Sequence, residues 1–220
     1  MKAEPKTTTD SAIASTTLAD LVAAGREALA SGDLDAALVR ARERARGDID
    51  CLHLLSGGKD SLTLLHILLH LQAVAPIRFE LAAITVDPMS DSFDPSPLKI
   101  YMQQIGMTYH YVSEPIVRLA TEHMQKDSFC AFCSRMRRGL MYKTARQGGY
   151  NVLALGQHLD DLAESFLLSA FHGGRLQTMK AHYLNDDADI RIIRPLVYAR
   201  ENQMAEFAKT AGLPIIPDSC

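Results

Sequence analysis

The spacing of apolar positions divides the chain into a polar start, a helical stretch and a long alternation of strand-like and helix-like segments. Residues 1–17 are rich in Thr and Ser without an apolar period, which predicts a disordered tail. Residues 18–47 follow two helical patterns broken at Ser31-Gly32-Asp33, and Leu18, Leu21, Val22 and Leu29 share a face of the first. Asp33 can cap the second. From residue 48 the period changes. Cys51–Leu55, Phe79–Val86, Thr108–Val112 and Asn151–Leu155 are short apolar runs that predict buried strands. Helices are predicted over Leu62–Leu69, opening on Ser61, and over Pro97–Ile105, Ser134–Gln147, Asp160–Phe171 and Arg200–Ala211. This alternation predicts one α/β domain over residues 48–220, an open, mainly parallel twisted sheet with helices on both faces, preceded by a helical extension over 18–47.

Composition narrows the function classes. A chain of 220 residues, 47% hydrophobic, can bury a full α/β core. No apolar run reaches the roughly 18 residues of a membrane span, so no membrane partner is expected. The net charge of −3 means that any contact with nucleic acid must come from a local patch. Four cysteines are too few for a disulfide scaffold, and with no apolar leader at the N-terminus the expectation is a reducing, cytoplasmic home.

Four groups of residues could carry chemistry. The first is Ser56-Gly57-Gly58-Lys59-Asp60-Ser61, between a strand and a helix. Its glycines let backbone N–H groups approach a ligand, and the helix start supplies unpaired amides for an anion. Lys59 adds positive charge, Ser56 and Ser61 add hydroxyl donors, and Asp60 could hold Mg²⁺, orient a nucleophile or cap the helix. The spacing is not that of the Walker loop. The second group, Gly156-Gln157-His158-Leu159-Asp160-Asp161, is again strand-to-helix. Its carboxylates either hold Mg²⁺ beside a polyphosphate or serve the helix dipole. Asp87, in the polar loop after the second strand, falls where parallel sheets bind ligands.

The third group is Cys130-Ala131-Phe132-Cys133, a spacing shared by redox thiols, zinc sites and iron–sulfur sites. Cys51, inside a strand, fits a small core residue better. The fourth is a run from Ser128 to Leu159 without Asp or Glu that holds Arg135, Arg137, Arg138, Lys143 and Arg146. It is either a solvated basic face or a path for RNA phosphates.

In order, "LSGGKDSLTLLHILLHLQ", "FELAAITVD", "CAFCSRMRRGLMYKTA", "LALGQHLDDLAESFLLSAFHGG", "IRPLVYARE" and "LPIIP" resemble the tRNA 2-thiocytidine synthetases, a family of PP-loop ATP pyrophosphatases. The resemblance spans roughly Asp48 to Pro217. It implies adenylation of a cytidine C2 oxygen in tRNA, its replacement by sulfur, and release of AMP and pyrophosphate. The phosphate loop matches throughout, so that Ser56 to Ser61, Asp87, Gly156, His158 and Asp161 are the candidate ATP contacts, Asp160 and Asp161 the candidates for Mg²⁺, and Asp60, Cys130 and Cys133 the candidate catalytic residues. The resemblance further implies a 4Fe–4S cluster on Cys130, Cys133 and a third cysteine, for which Cys220 is the candidate, with cysteine desulfurase as sulfur donor. Arg135, Arg137 and Arg138 are the candidate tRNA contacts; a homodimer is left open. Gln157 stands where the family has His, and Asp218-Ser219 separate Cys220 from the "PIIP" run. Two rival readings are a PP-loop ligase of the lysidine-synthetase kind without sulfur chemistry and a non-catalytic ATP-binding module.

Overall fold

The computed structural model describes residues 49–123 and 128–216. The expected tail and helical extension over 1–47, and Cys220, lie outside the described residues. The order is β1 (Ile49–Leu54), α1 (Lys59–Val74), β2 (Phe79–Asp87), α2 (Ser96–Gln104), β3 (Tyr109–Ser113), α3 (Ile116–His123), α4 (Phe129–Gly148), β4 (Val152–Ala154), α5 (Leu159–Gly173), β5 (His182–Leu184), β6 (Arg191–Ile193) and α6 (Glu201–Thr210).

The strands form one six-stranded sheet in the order β3-β2-β1-β4-β6-β5. All neighbours are parallel except β5, which runs antiparallel to β6. The expected α/β architecture is therefore present, with one antiparallel edge strand added. The side chains of β1 go alternately to the two faces, as a pleated strand requires. Cys51 packs with Leu64, Leu68 and Phe207 of α1 and α6. Leu52 packs with Ile116, Cys133, Met141 and Ala145 of α3 and α4. Leu55, at the strand's end, joins Leu62, Leu65, Leu98 and Met102 of α1 and α2. The sheet is thus covered on both faces, which is why β1 and β2 read as nearly continuous apolar runs.

Two departures from expectation have local causes. Helix α4 starts at Phe129, not Ser134, because Ser128 adopts an extended conformation and its Oγ accepts the Ala131 N–H at 3.3 Å. The cysteine pair therefore lies within the first five residues of the helix. Strands β5 and β6 were not anticipated: each has three residues, too short for a period-2 pattern to register.

Topology fixes where a ligand can sit. From β1 the chain moves to β2 and β3 on one side, while β4 lies on the other. The crevice beyond the C-terminal ends of β1 and β4 is thus the switch point of the sheet, the general ligand position in open α/β folds.

Candidate nucleotide and thiolate site

Both strand-to-helix motifs flank that crevice. Gly57 has φ +94°, a left-handed conformation suited to glycine, and a Cβ there would lie 3.0 Å from the Ile216 side chain. Ser61 ties the loop together. Its Oγ donates to the Gly58 carbonyl at 2.9 Å and accepts the Gly57 N–H at 3.2 Å. This hydroxyl is buried and turned into the loop, whereas Ser56 is exposed and 3.1 Å from it. Beneath the loop, the buried His53 Nε2 donates to the Ser61 carbonyl at 2.8 Å. Thr85 donates to the Leu55 carbonyl at 2.6 Å. No side chain caps α1, whose N-cap is Gly58. Its first-turn amides are the kind of donor set that binds phosphate.

Gly156 brings the second motif against the first. A Cβ there would stand 3.3 Å from the Ser61 nitrogen and 3.4 Å from the Asp60 carbonyl carbon, so this glycine is needed for close backbone approach. His158 is buried, and its Nε2 lies 3.4 Å from Asp161 and 3.9 Å from Asp60. Asp161 accepts the His158 backbone N–H at 2.9 Å. Asp160 accepts the Glu201 N–H at 2.7 Å and pairs with Arg200 at 3.1 Å. Both aspartates therefore fasten the β4–α5 loop in this structure.

Lys59 sits among carboxylates, 2.9 Å from Glu201 and 3.2 Å from Asp60. Burial alone would lower its pKa, but hydrogen bonding to Glu201 and the charge of Asp60 hold it above the ordinary lysine value. Asp60 goes the other way. Burial raises it, against the pull of Lys59, so desolvation wins. One Asp60 oxygen, Oδ1, is buried with no hydrogen-bond partner among the described residues. Such an orphaned oxygen fits a cation arriving with a ligand. Asp160 is lowered, first by the Glu201 N–H and then by Arg200, and Glu201 is lowered by Lys59.

Glu201 and Arg200 were not among the expected site residues. They head α6, the last described helix, and reach the phosphate loop only because β6 lies next to β4. The segment beyond the end of α6 returns to the same place, where the Ile216 N–H donates to the Gly57 carbonyl at 2.9 Å. The start of α6 and the segment after it thus both abut the loop.

Asp87 is placed at this edge, but its carboxylate is engaged: Oδ1 accepts the Met89 N–H at 2.7 Å and Oδ2 accepts the Tyr111 hydroxyl. It shapes the β2 loop and leaves Met89 exposed with φ 56°. The cysteine pair heads α4, which runs back toward β4 and so begins on the same edge as the phosphate loop. Cys130 is exposed and Cys133 is buried against Leu52 and Leu155. Positions i and i+3 share a helix face, so both thiols can serve one centre. Among the described residues no third donor joins them.

The basic run separates into parts. Arg135 and Arg138 are exposed on α4 directly after the cysteines, and Arg137 is half-buried with its Nε unpartnered. Arg146 leaves that path: it pairs with Asp187 and, at 2.7 Å, with Asp189 in the β5–β6 turn.

A phosphate loop with a lysine at the switch point of a parallel sheet defines a nucleotide-binding α/β protein. The PP-loop domain model matches residues 43–220, and the chain belongs to the PP-loop family. It is 43% identical over 164 residues to a tRNA-cytidine(32) 2-sulfurtransferase of Cellvibrio japonicus (strain Ueda107), covering 74% of this chain and 54% of that protein. A Syntrophotalea carbinolica protein of the same name is 42% identical over 167 residues, 76% of this chain and 64% of the relative. The chain thus spans little more than half the length of such relatives. Among solved structures it is similar to the U34-tRNA thiolase NcsA from Methanococcus maripaludis with its 4Fe–4S cluster. That likeness has a TM-score of 0.65 at 21% identity over 79% of this chain and 60% of that one, a likeness of fold.

Proposed function

We propose that the chain carries the ATP and thiolate chemistry of a tRNA-cytidine 2-thiolating enzyme acting in the cytoplasm. The observation that carries this reading is the placing of the uncapped α1 N-terminus with Lys59 and the cysteine-headed α4 on one edge of the sheet. The names of the relatives support the same reaction. The α1 amides, Gly57, Gly58 and Lys59 bind the phosphates of ATP, and Ser56 adds an exposed hydroxyl. Lys59 exchanges its carboxylate partners for phosphate oxygens. Mg²⁺ would enter with ATP at the orphaned Asp60 oxygen, offsetting repulsion between phosphates and the Asp60, Asp160 and Asp161 carboxylates.

The cytidine C2 oxygen attacks the α-phosphorus, pyrophosphate leaves, sulfide replaces the activated oxygen, and that oxygen departs with AMP. Cys130 and Cys133 would hold two irons of a 4Fe–4S cluster. The third thiolate would come from Cys220. Such a cluster, when bound, supplies an open iron for sulfide, with cysteine desulfurase as the sulfur source. Arg135, Arg137 and Arg138 line the approach of the tRNA backbone.

The test is an anaerobic reaction with ATP, Mg²⁺, sulfide and unmodified tRNA, read for AMP and pyrophosphate and, by mass spectrometry of digested tRNA, for 2-thiocytidine. ADP and phosphate would overturn the PP-loop chemistry. In a parallel reaction supplied with lysine in place of sulfide, AMP with a lysine amine joined to the cytidine C2 and no thiolation with sulfide would return the ligase reading.

A further inference from the structure

Arg194, just past β6, is a buried cation without a counter-ion among the described residues. Its charge is met by neutral oxygens: Nε donates to Gln157 Oε1 at 3.0 Å, and Nη1 donates to the Lys180 carbonyl at 2.6 Å. The guanidinium carbon lies 5.5 Å from the centre of the Tyr183 ring. Tyr183 packs against the cluster that contains Cys133 and Leu155, so Arg194 lies on the α4 side of the sheet. Gln157 is thereby held between the two chemical centres. Its backbone follows Gly156, which abuts Asp60 and Ser61 of the phosphate loop, while its side chain turns toward the side that carries the cysteine-headed helix.

Arginine can only donate hydrogen bonds, so the oxygen of the Gln157 carboxamide must face it. The amide nitrogen is then forced to the far side, where its two hydrogens have no partner among the described residues. Gln157 is half-buried and that nitrogen is not sealed in the interior, so it opens on the crevice. A free glutamine can present either end of its amide. This one presents a donor.

A fixed donor discriminates between pyrimidines. Beside its C2 oxygen, cytosine has an unprotonated N3 that accepts a hydrogen bond, whereas uracil carries N3–H there, a donor. We propose that Gln157 reads N3 of the target cytidine, and that Arg194 is the positioning residue that fixes its amide. The assignment rests on the reading of this chain as a cytidine-thiolating enzyme. Gln157 selects and orients the base, and the C2 oxygen stays available to attack the α-phosphorus. A uridine would set donor against donor and be rejected about a hundredfold, the scale of a hydrogen-bonding site facing the wrong partner.

The test is the anaerobic reaction with a tRNA bearing cytidine at the modified position and the same tRNA bearing uridine there. The full chain is compared with five variants through the cytidine-to-uridine ratio of kcat/KM, read from pyrophosphate release, because losses common to both RNAs cancel in it. Gln157→Leu lowers the wild-type ratio about tenfold or more, and its ATP affinity, unchanged by calorimetry, shows that the fold is kept. Gln157→Glu offers only an acceptor and inverts the preference. Gln157→His keeps it, since an imidazole that accepts from Arg194 carries its proton on the far nitrogen. Arg194→Lys, still only a donor, also keeps it, whereas Arg194→Met frees the amide to turn over and lowers the ratio about tenfold. A merely structural Arg194 would lose stability in Arg194→Met and leave the ratio alone; should that variant not fold, the Gln157 variants decide. A wild-type chain that acts equally on both RNAs, or a wild-type ratio retained in Gln157→Leu and Gln157→Glu, would overturn the assignment and leave the thiolation reading standing. A wild-type chain inert on both RNAs would overturn that reading and the assignment with it.

Discussion

Helices α1 and α4 both start at the C-terminal edge of the sheet, and they treat their N-termini in opposite ways. Helix α1 has a glycine N-cap with no side chain over it, and its start is half-buried, with Gly156 of the neighbouring β4–α5 loop against its first turn. Helix α4 caps itself with Ser128 and places an exposed thiol, Cys130, in its first turn. The first therefore offers backbone donors, a rigid anion site made by the fold. The second offers side chains, a site made by residue type. A backbone site tolerates few substitutions nearby because its geometry is shared with the core. A side-chain site can lose its chemistry while the helix persists.

That contrast can be tested from the strongest effect down. Gly156→Val pushes a side chain into the backbone of Asp60 and Ser61. ATP binding should weaken about a hundredfold, toward the top of the roughly 1–3 kcal/mol that overpacking costs. Calorimetry with ATP checks it, and unchanged affinity would mean that the loop does not depend on this approach.

His53, under the same loop, gives a pH signature. Burial, only partly offset by the Ser61 carbonyl, pushes its pKa down to about 4 from an ordinary value near 6.5. The unfolded chain then takes up a proton that the folded chain refuses, so stability falls as pH drops from about 6.5 toward 4. Relative to His53→Gln, the wild-type chain should lose about 2 kcal/mol of unfolding free energy between pH 7.5 and pH 5. Urea titrations at the two pH values measure the difference.

The cysteines should separate what the helix needs from what a cluster needs. Cys133→Ser buries a hydroxyl among Leu52, Ile84 and Leu155 and should cost about 1–3 kcal/mol of stability. Cys130→Ser, at the surface, should stay within about 0.5 kcal/mol. Both should lose the brown iron–sulfur chromophore of anaerobically prepared protein. Colour retained in Cys130→Ser would remove it from the ligand set. The smallest effect is Ser128→Ala, which removes the α4 cap at about 1 kcal/mol or less, read from a modest fall in Tm, while ATP affinity stays unchanged.

The phosphate loop, the strands before it and the α4 cysteines were legible in the sequence because each is a local pattern. A strand, two glycines and a helix are contiguous, and so are two thiols three residues apart. The start of α4 was placed five residues late because a one-residue serine cap carries less signal than the apolar period that follows. Helix α3 and strands β5 and β6 were missed for their shortness. Arg146 read as part of the basic run until the β5–β6 turn brought Asp187 and Asp189 to it.

The sequence by itself determined the fold class, the loop and the kinds of donor present, since propensity, glycine placement and apolar period act over a few residues. Only the tertiary structure decided which groups meet. The neighbouring of β4 and β6 brings Glu201 to Lys59 and Arg200 to Asp160. The return of the chain at Ile216 locks Gly57, and the alternation of β1 sends His53 beneath Ser61. These contacts join residues far apart in the chain, and their energies depend on burial and distance, which exist only after the sheet has closed around them.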